Sequence, residues 1–75
     1  MIIQDEMLRA AIARTLQIEE ADITEKKLEE LMTLSARSSG IISLEGLQYA
    51  VNLKYLDLCG NAIEDLTPIR DLRVD

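Results

Sequence analysis

The stretch LKYLDLCGNAIEDL, residues 53–66, decides how the rest of the chain is read. Leu56 and Leu58 alternate with Tyr55, Asp57 and Cys59 in the two-residue period of a strand. The leucines therefore face one side and the other three residues the opposite one. Gly60 and Asn61 interrupt the run, and Ile63 and Leu66 resume it. An asparagine suits the interruption: its amide both donates to and accepts from backbone groups inside a coil, which a leucine there could not do.

The same pattern stands 22 residues earlier. Writing residue 31 above residue 53 sets LMTLSARSSGIISLEGLQYAVN over LKYLDLCGNAIEDLTPIRDLRV. The columns Leu31/Leu53, Leu34/Leu56, Ala36/Leu58, Ile41/Ile63, Leu44/Leu66, Leu47/Ile69 and Ala50/Leu72 are apolar in both rows, without a gap. The spacing L-x-x-L-x-L-x-x-N-x-I is that of a leucine-rich repeat, in which a strand, an asparagine turn and a convex return make one coil. In the return, Ile63, Leu66 and Ile69 refill the core. Thr67 is expected to cap a short helical turn there, with Pro68 in its first position, where a missing N–H costs nothing. The earlier copy is degenerate, with Ala36 in a leucine column and Ser39 in the asparagine column, as expected of a terminal repeat lying against a cap.

The residues ahead of the repeats read as that cap. Residues 4–17 place Leu8, Ala11, Ile12 and Leu16 on one helical face, with Asp5 and Glu6 in the first turn where the helix dipole favours them. A break follows, and a second helix is expected from about Thr24. Either Asp22 or Thr24 can cap it, and Asp22 with Glu25 has capping-box spacing. Ile23, Leu28 and Leu31 form its buried stripe. Two helices over the open end of a coil keep its first strand from being an exposed edge.

Taken together, DEMLRAAIARTL, ITEKKLEELMTL, GIISLEGLQYAVNLKYLDLCGN and AIEDLTPIRDL resemble the N-terminal part of internalin-like bacterial leucine-rich-repeat proteins over nearly the whole chain. The resemblance implies an α/β fold: a fragment of a right-handed leucine-rich-repeat solenoid with a two-helix N-terminal cap and a short parallel sheet. The cap would be residues 1–30 and the two 22-residue repeats residues 31–75, the first degenerate and the second well formed. It also implies protein binding, often to host-cell surface proteins, and export to the bacterial cell surface.

Composition bounds the function. Seventy-five residues make at most one domain, which buries only about 60% of the surface its unfolded chain exposes. Its core is aliphatic, with two tyrosines and no Phe or Trp. A net charge of −6 argues against nucleic acid, which asks for a basic stripe; Lys26-Lys27, the one adjacent basic pair, reads as a solvated helix face. No apolar run approaches the ~20 residues of a membrane span, and MIIQDEM does not read as a signal peptide. One cysteine and no histidine provide neither an internal disulfide nor a metal cluster, so no cofactor is expected.

The same inventory argues against an enzyme. Cys59 has no histidine to activate it, and the nearest basic candidates are Lys54 and Arg37. It reads as an exposed strand position able to form a disulfide with a second chain. Glu19-Glu20, Glu29-Glu30, Glu64 and Asp65 read as solvated carboxylates, and Asn61 as a turn residue. The candidate protein-binding surface is the concave side: Thr33, Ser35 and Arg37 from the first strand, Tyr55, Asp57 and Cys59 from the second. Tyr55 is expected to contribute most, since tyrosine and arginine dominate binding hot spots. Two strands offer far less than the about 800 Å² per partner of a usual interface, so the alternative is a purely structural capping and folding unit, or a truncated or engineered fragment, with no ligand of its own. The chain stops at RVD, with Asp75 where a third repeat's first leucine would stand. Leu58, Leu66, Ile69 and Leu72 are therefore expected to be uncovered and to drive self-association.

Overall fold

The computed structural model describes residues 1–73. Val74, which ends the second repeat in the alignment above, and Asp75, at the position of a third repeat's first leucine, lie outside the described residues. Helix α1 (Glu6–Leu16) begins where Asp5, in extended backbone, accepts the N–H groups of Met7 and Leu8 at 2.9 and 3.0 Å. It stops where Gln17 turns left-handed (φ 58°, ψ 47°) and returns its N–H to the Ala13 carbonyl. The helix is thus shorter at both ends than residues 4–17, because Asp5 is its cap rather than a member of its first turn. Leu8, Ala11 and Ile12 are buried as the periodicity predicts, Leu16 is half-buried, and Ala13 is buried as well.

A 3₁₀ turn over Glu20–Asp22 leads to α2 (Glu25–Leu28), a single turn. Thr24 caps it, its Oγ1 accepting the Lys27 N–H at 3.1 Å. Asp22 does not cap it, because Asp22 is wound into the preceding turn, where Ile23 N–H donates to the Glu20 carbonyl. Ile23, Leu28 and Leu31 are all buried.

Strands β1 (Thr33–Ser35) and β2 (Tyr55–Asp57) then pair in parallel. The register is Thr33–Tyr55, Leu34–Leu56 and Ser35–Asp57, the same 22-residue shift as the sequence repeat. The ladder runs past the strands: Lys54 N–H donates to the Met32 carbonyl, Ala36 N–H to that of Asp57, and Ser38 N–H to that of Cys59, at 2.8–2.9 Å. Among the described residues these two helices, two strands and three 3₁₀ turns are the regular elements. α1 packs on β1, α2 on the 3₁₀ turn Leu47–Tyr49, and that turn on its counterpart Thr67–Ile69 one repeat later.

The second convex turn is built differently from its expectation. Asp65 Oδ1 accepts the Thr67 N–H at 2.9 Å, and the 3₁₀ turn starts at Thr67, so Thr67 is not a cap and Pro68 is the second residue of the turn. On the first convex return, Gly46 has φ +102°, and a Cβ there would collide with the Ile2 carbonyl and stand 2.9 Å from Ile3 Cδ1. Only glycine lets the N-terminal segment lie this close. Ile3 is fully buried as a result.

Among the described residues, every fully covered side chain lies between Ile3 and Leu53. In the first repeat Leu34, Ala36, Ile41, Leu47 and Ala50 are 0–1% exposed. Their counterparts Leu56, Leu58, Ile63, Ile69 and Leu72 are only partly buried.

Candidate binding surface

Alternation along β1 and β2 sends Leu34 into the core and leaves Thr33, Ser35 and Tyr55 exposed, Tyr55 at 48%. Register places Thr33 beside Tyr55 and Ser35 beside Asp57. Just past the strands, Arg37 and Cys59 are also exposed. All six concave candidates therefore fall on or at the end of the two paired strands.

Asp57 organises the far end of this surface. Its Oδ1 accepts the Cys59 N–H at 3.2 Å, and its Oδ2 lies 3.6 Å from Arg37 Nε. The backbone N–H and thiol of Cys59 hold the Asp57 carboxyl below the usual carboxylate range, against the opposing effect of burial and with a lesser contribution from the Arg37 charge. Arg37 and Asp57 thus engage one another, while Thr33, Ser35 and Tyr55 make no side-chain hydrogen bond among the described residues. A nucleophilic thiol needs a basic or cationic neighbour. What Cys59 faces is a carboxylate, and Arg37 is already paired to it.

Three of the other carboxylates are engaged locally. Glu20 pairs with Arg9 at 3.0 Å and Glu30 with Lys27 at 3.4 Å. Asp65 is held low by the hydroxyl and N–H of Thr67. Among the described residues no three His, Cys, Asp or Glu side chains group as metal ligands, and no helix is long and apolar enough to cross a membrane. Two shallow hollows, about 410 and 270 Å³, lie along the convex returns between residues 45–54 and 65–73, and neither includes any of the six concave residues.

Asn61 holds the two coils together. Its Nδ2 donates to the carbonyls of Ala36 and Leu58 at 2.8 and 2.9 Å, and its Oδ1 accepts from Ser39 and Ile41 N–H, both at 2.9 Å. That uses the amide's full capacity, and three of the four partners belong to the preceding repeat. Ser39, in the matching column, turns its hydroxyl back to the Arg37 carbonyl instead. Two joints escaped the sequence reading. Asn52 Nδ2 donates to the Glu29 carbonyl at 2.8 Å, and Asp5 reaches the first convex turn. An aspartate at a helix start is legible as a cap, but nothing local marks its second set of partners.

Of the four residues expected at the uncovered end, Leu66 is 60% exposed, whereas Leu58, Ile69 and Leu72 are half-buried against the core.

Solved structures share this arrangement. An internalin of Listeria monocytogenes, InlF, matches 95% of this chain with a TM-score of 0.86 and 34% identity. Internalin C2 of the same species matches 99% with a TM-score of 0.88, also at 34% identity. The fold is internalin-like. A Clostridium perfringens ZmpB structure containing the CBM51-2 and INT domains shares the internalin-like fold over 96% of this chain, with a TM-score of 0.84 and 32% identity. The chain spans only 22%, 35% and 16% of these three proteins, respectively. No protein-family model and no curated protein sequence matches it. The internalin-like resemblance carries the helix–helix–strand order and the parallel coil register described above.

Proposed function

We propose that this chain is a non-enzymatic protein-interaction module, the capped N-terminal end of a leucine-rich-repeat array. In this reading residues 1–30 are the cap, and residues 31–75 are two repeats that start a right-handed solenoid. The concave positions Thr33, Ser35, Arg37, Tyr55, Asp57 and Cys59 are the first part of its binding surface. The observation that carries the reading is the contrast between matching columns: 0–1% exposure for Leu34, Ala36, Ile41, Leu47 and Ala50 against partial burial for their counterparts. The second repeat stands towards a further coil as the first stands towards the second. A rigid strand grid suits protein binding because its side chains lose little freedom on contact, and Tyr55 is its most exposed aromatic anchor.

Affinity capture with the chain and its Tyr55→Ala variant tests this, with folding of both checked by circular dichroism. A partner held by the unaltered chain and lost by the variant supports the concave assignment. Equal capture by both refutes it.

The exposure of Leu66 favours a second reading, in which the unit is purely structural and two copies join through Leu58, Leu66, Ile69 and Leu72. Light scattering that reports a monomer up to millimolar concentration would sink that reading.

A further inference from the structure

Three consecutive peptide N–H groups on the first convex turn are held by side chains from two directions. Ile41 N–H donates to Asn61 Oδ1 at 2.9 Å, from the second repeat. Ile42 and Ser43 N–H donate to Asp5 Oδ2 at 2.9 and 3.2 Å, from the cap. Asp5 Oδ1 is committed to the first turn of α1, so one carboxylate ties four backbone donors across two elements.

The peptide group between Ile41 and Ile42 is the mechanical centre of this joint. Its N–H is the Ile42 donor bound by Asp5, and its carbonyl accepts the Ala62 N–H of the second repeat at 3.1 Å. A peptide group is planar and turns as one body. Rotation that breaks the bond on the cap side misaligns the bond on the repeat side, and it also shifts the adjacent Ile41 N–H away from Asn61.

We propose that Asp5 is a latch that couples the helical cap to the second repeat through the Ile41–Ile42 peptide group, although Asp5 makes no hydrogen bond to the second repeat itself. The bonds are charge-assisted and therefore stronger than amide–amide ones. The four N–H groups also keep Asp5 ionised: burial pushes its carboxyl up, and the donors from Ile42, Leu8, Ser43 and Met7 together bring it below its ordinary value. The other charged groups on the packed elements are occupied or turned to solvent. Arg9 binds Glu20 and the Ile3 carbonyl, Glu45 accepts from the Gln48 amide, and Glu6 is exposed.

Amide hydrogen exchange by NMR on Asp5→Ser tests the latch. Serine still caps α1 but is too short to reach Ile42 and Ser43. Exchange is expected to rise about tenfold at Ile42 and Ser43, the size expected for losing bonds to a charged acceptor, and to rise severalfold at Ser39, Ile41 and Ala62 as well, whose acceptors are the neutral Asn61 amide and Ile41 carbonyl. Leu8 should keep its protection. Acceleration confined to Ile42 and Ser43 would overturn the coupling, and so would a uniform rise over the whole chain. If Asp5→Ser does not fold, the unaltered chain supplies the test. As pH is lowered through the Asp5 titration, the amide shifts of Ser39, Ile41 and Ala62 should move with the same midpoint as those of Ile42 and Ser43. Shifts that move independently overturn the proposal.

Discussion

Replacing Asn61 with alanine should strongly destabilise the protein. The change removes four hydrogen bonds of 2.8–2.9 Å and leaves the Ser39 and Ile41 N–H groups and the Ala36 and Leu58 carbonyls without them. At about 0.5–1.5 kcal/mol net for each bond, the loss is about 2–6 kcal/mol. All four bonds are only part-buried, so water can reach some of the orphaned groups, and about 3 kcal/mol is the expected cost. A 75-residue chain has a total stability of about 4–11 kcal/mol. The variant should therefore lose roughly a quarter to three quarters of its stability, with a thermal midpoint roughly 12–24 °C lower. Urea unfolding followed by circular dichroism measures the difference directly. Asn61→Asp should fall between, since it keeps the acceptor for Ser39 and Ile41 but turns an anion towards two carbonyls. A loss below about 1 kcal/mol for Asn61→Ala, with an unchanged urea slope, would refute the view that this one side chain joins the coils.

Gly46→Ala forces a Cβ onto the Ile2 carbonyl at φ +102°, and should cost about 2 kcal/mol or more in thermal melting, whereas Gly40, with nothing within 4 Å of its Cβ position, should cost less when changed the same way. Leu34→Ala and Leu56→Ala occupy one column but differ in burial, so urea unfolding should give about 2–5 kcal/mol for the first and roughly half that for the second; equal losses would contradict the gradient of burial along the chain. Asp5 has a folded pKa below its ordinary 3.8, so its contribution is present above that value and is lost as pH falls through the lower, folded value. Asp57 and Asp65 act in the same direction, so the Asp5 share is the difference in acid unfolding between the unaltered chain and Asp5→Ser, which should be the less acid-sensitive of the two.

Much of the architecture was legible because the relevant signals are local and periodic. Inward leucines in a strand declare themselves by alternation. A shift of 22 residues that keeps seven columns apolar in both rows predicts the parallel register before any strand is seen, and Leu34 does pair with Leu56. Asn61 was legible for the same reason, since a carboxamide at a coil's corner has backbone groups on both sides to satisfy. Helix limits were read less well. The periodicity of α1 overran Asp5 and Gln17, whose side-chain and backbone geometry end the helix. Asp22 looked like a cap until the 3₁₀ turn claimed it. Of the candidate surface, the alternation of Thr33, Ser35, Tyr55 and Asp57 was legible, while the pairing that ties Arg37 to Asp57 was not.

The sequence by itself determined the repeat length, the sides to which the strand residues point, and the helices that precede the first strand. These follow from bonded geometry and from patterns within about one coil. Only the tertiary structure decided that Asp5 joins α1 to the turn at Ile42 and Ser43, that Asn52 reaches the Glu29 carbonyl, that Gly46 makes room for Ile2, and that among the described residues full burial ends at Leu53. Each of these depends on the distance between segments more than twenty residues apart in the chain. Such a distance exists only after the coils have closed on one another.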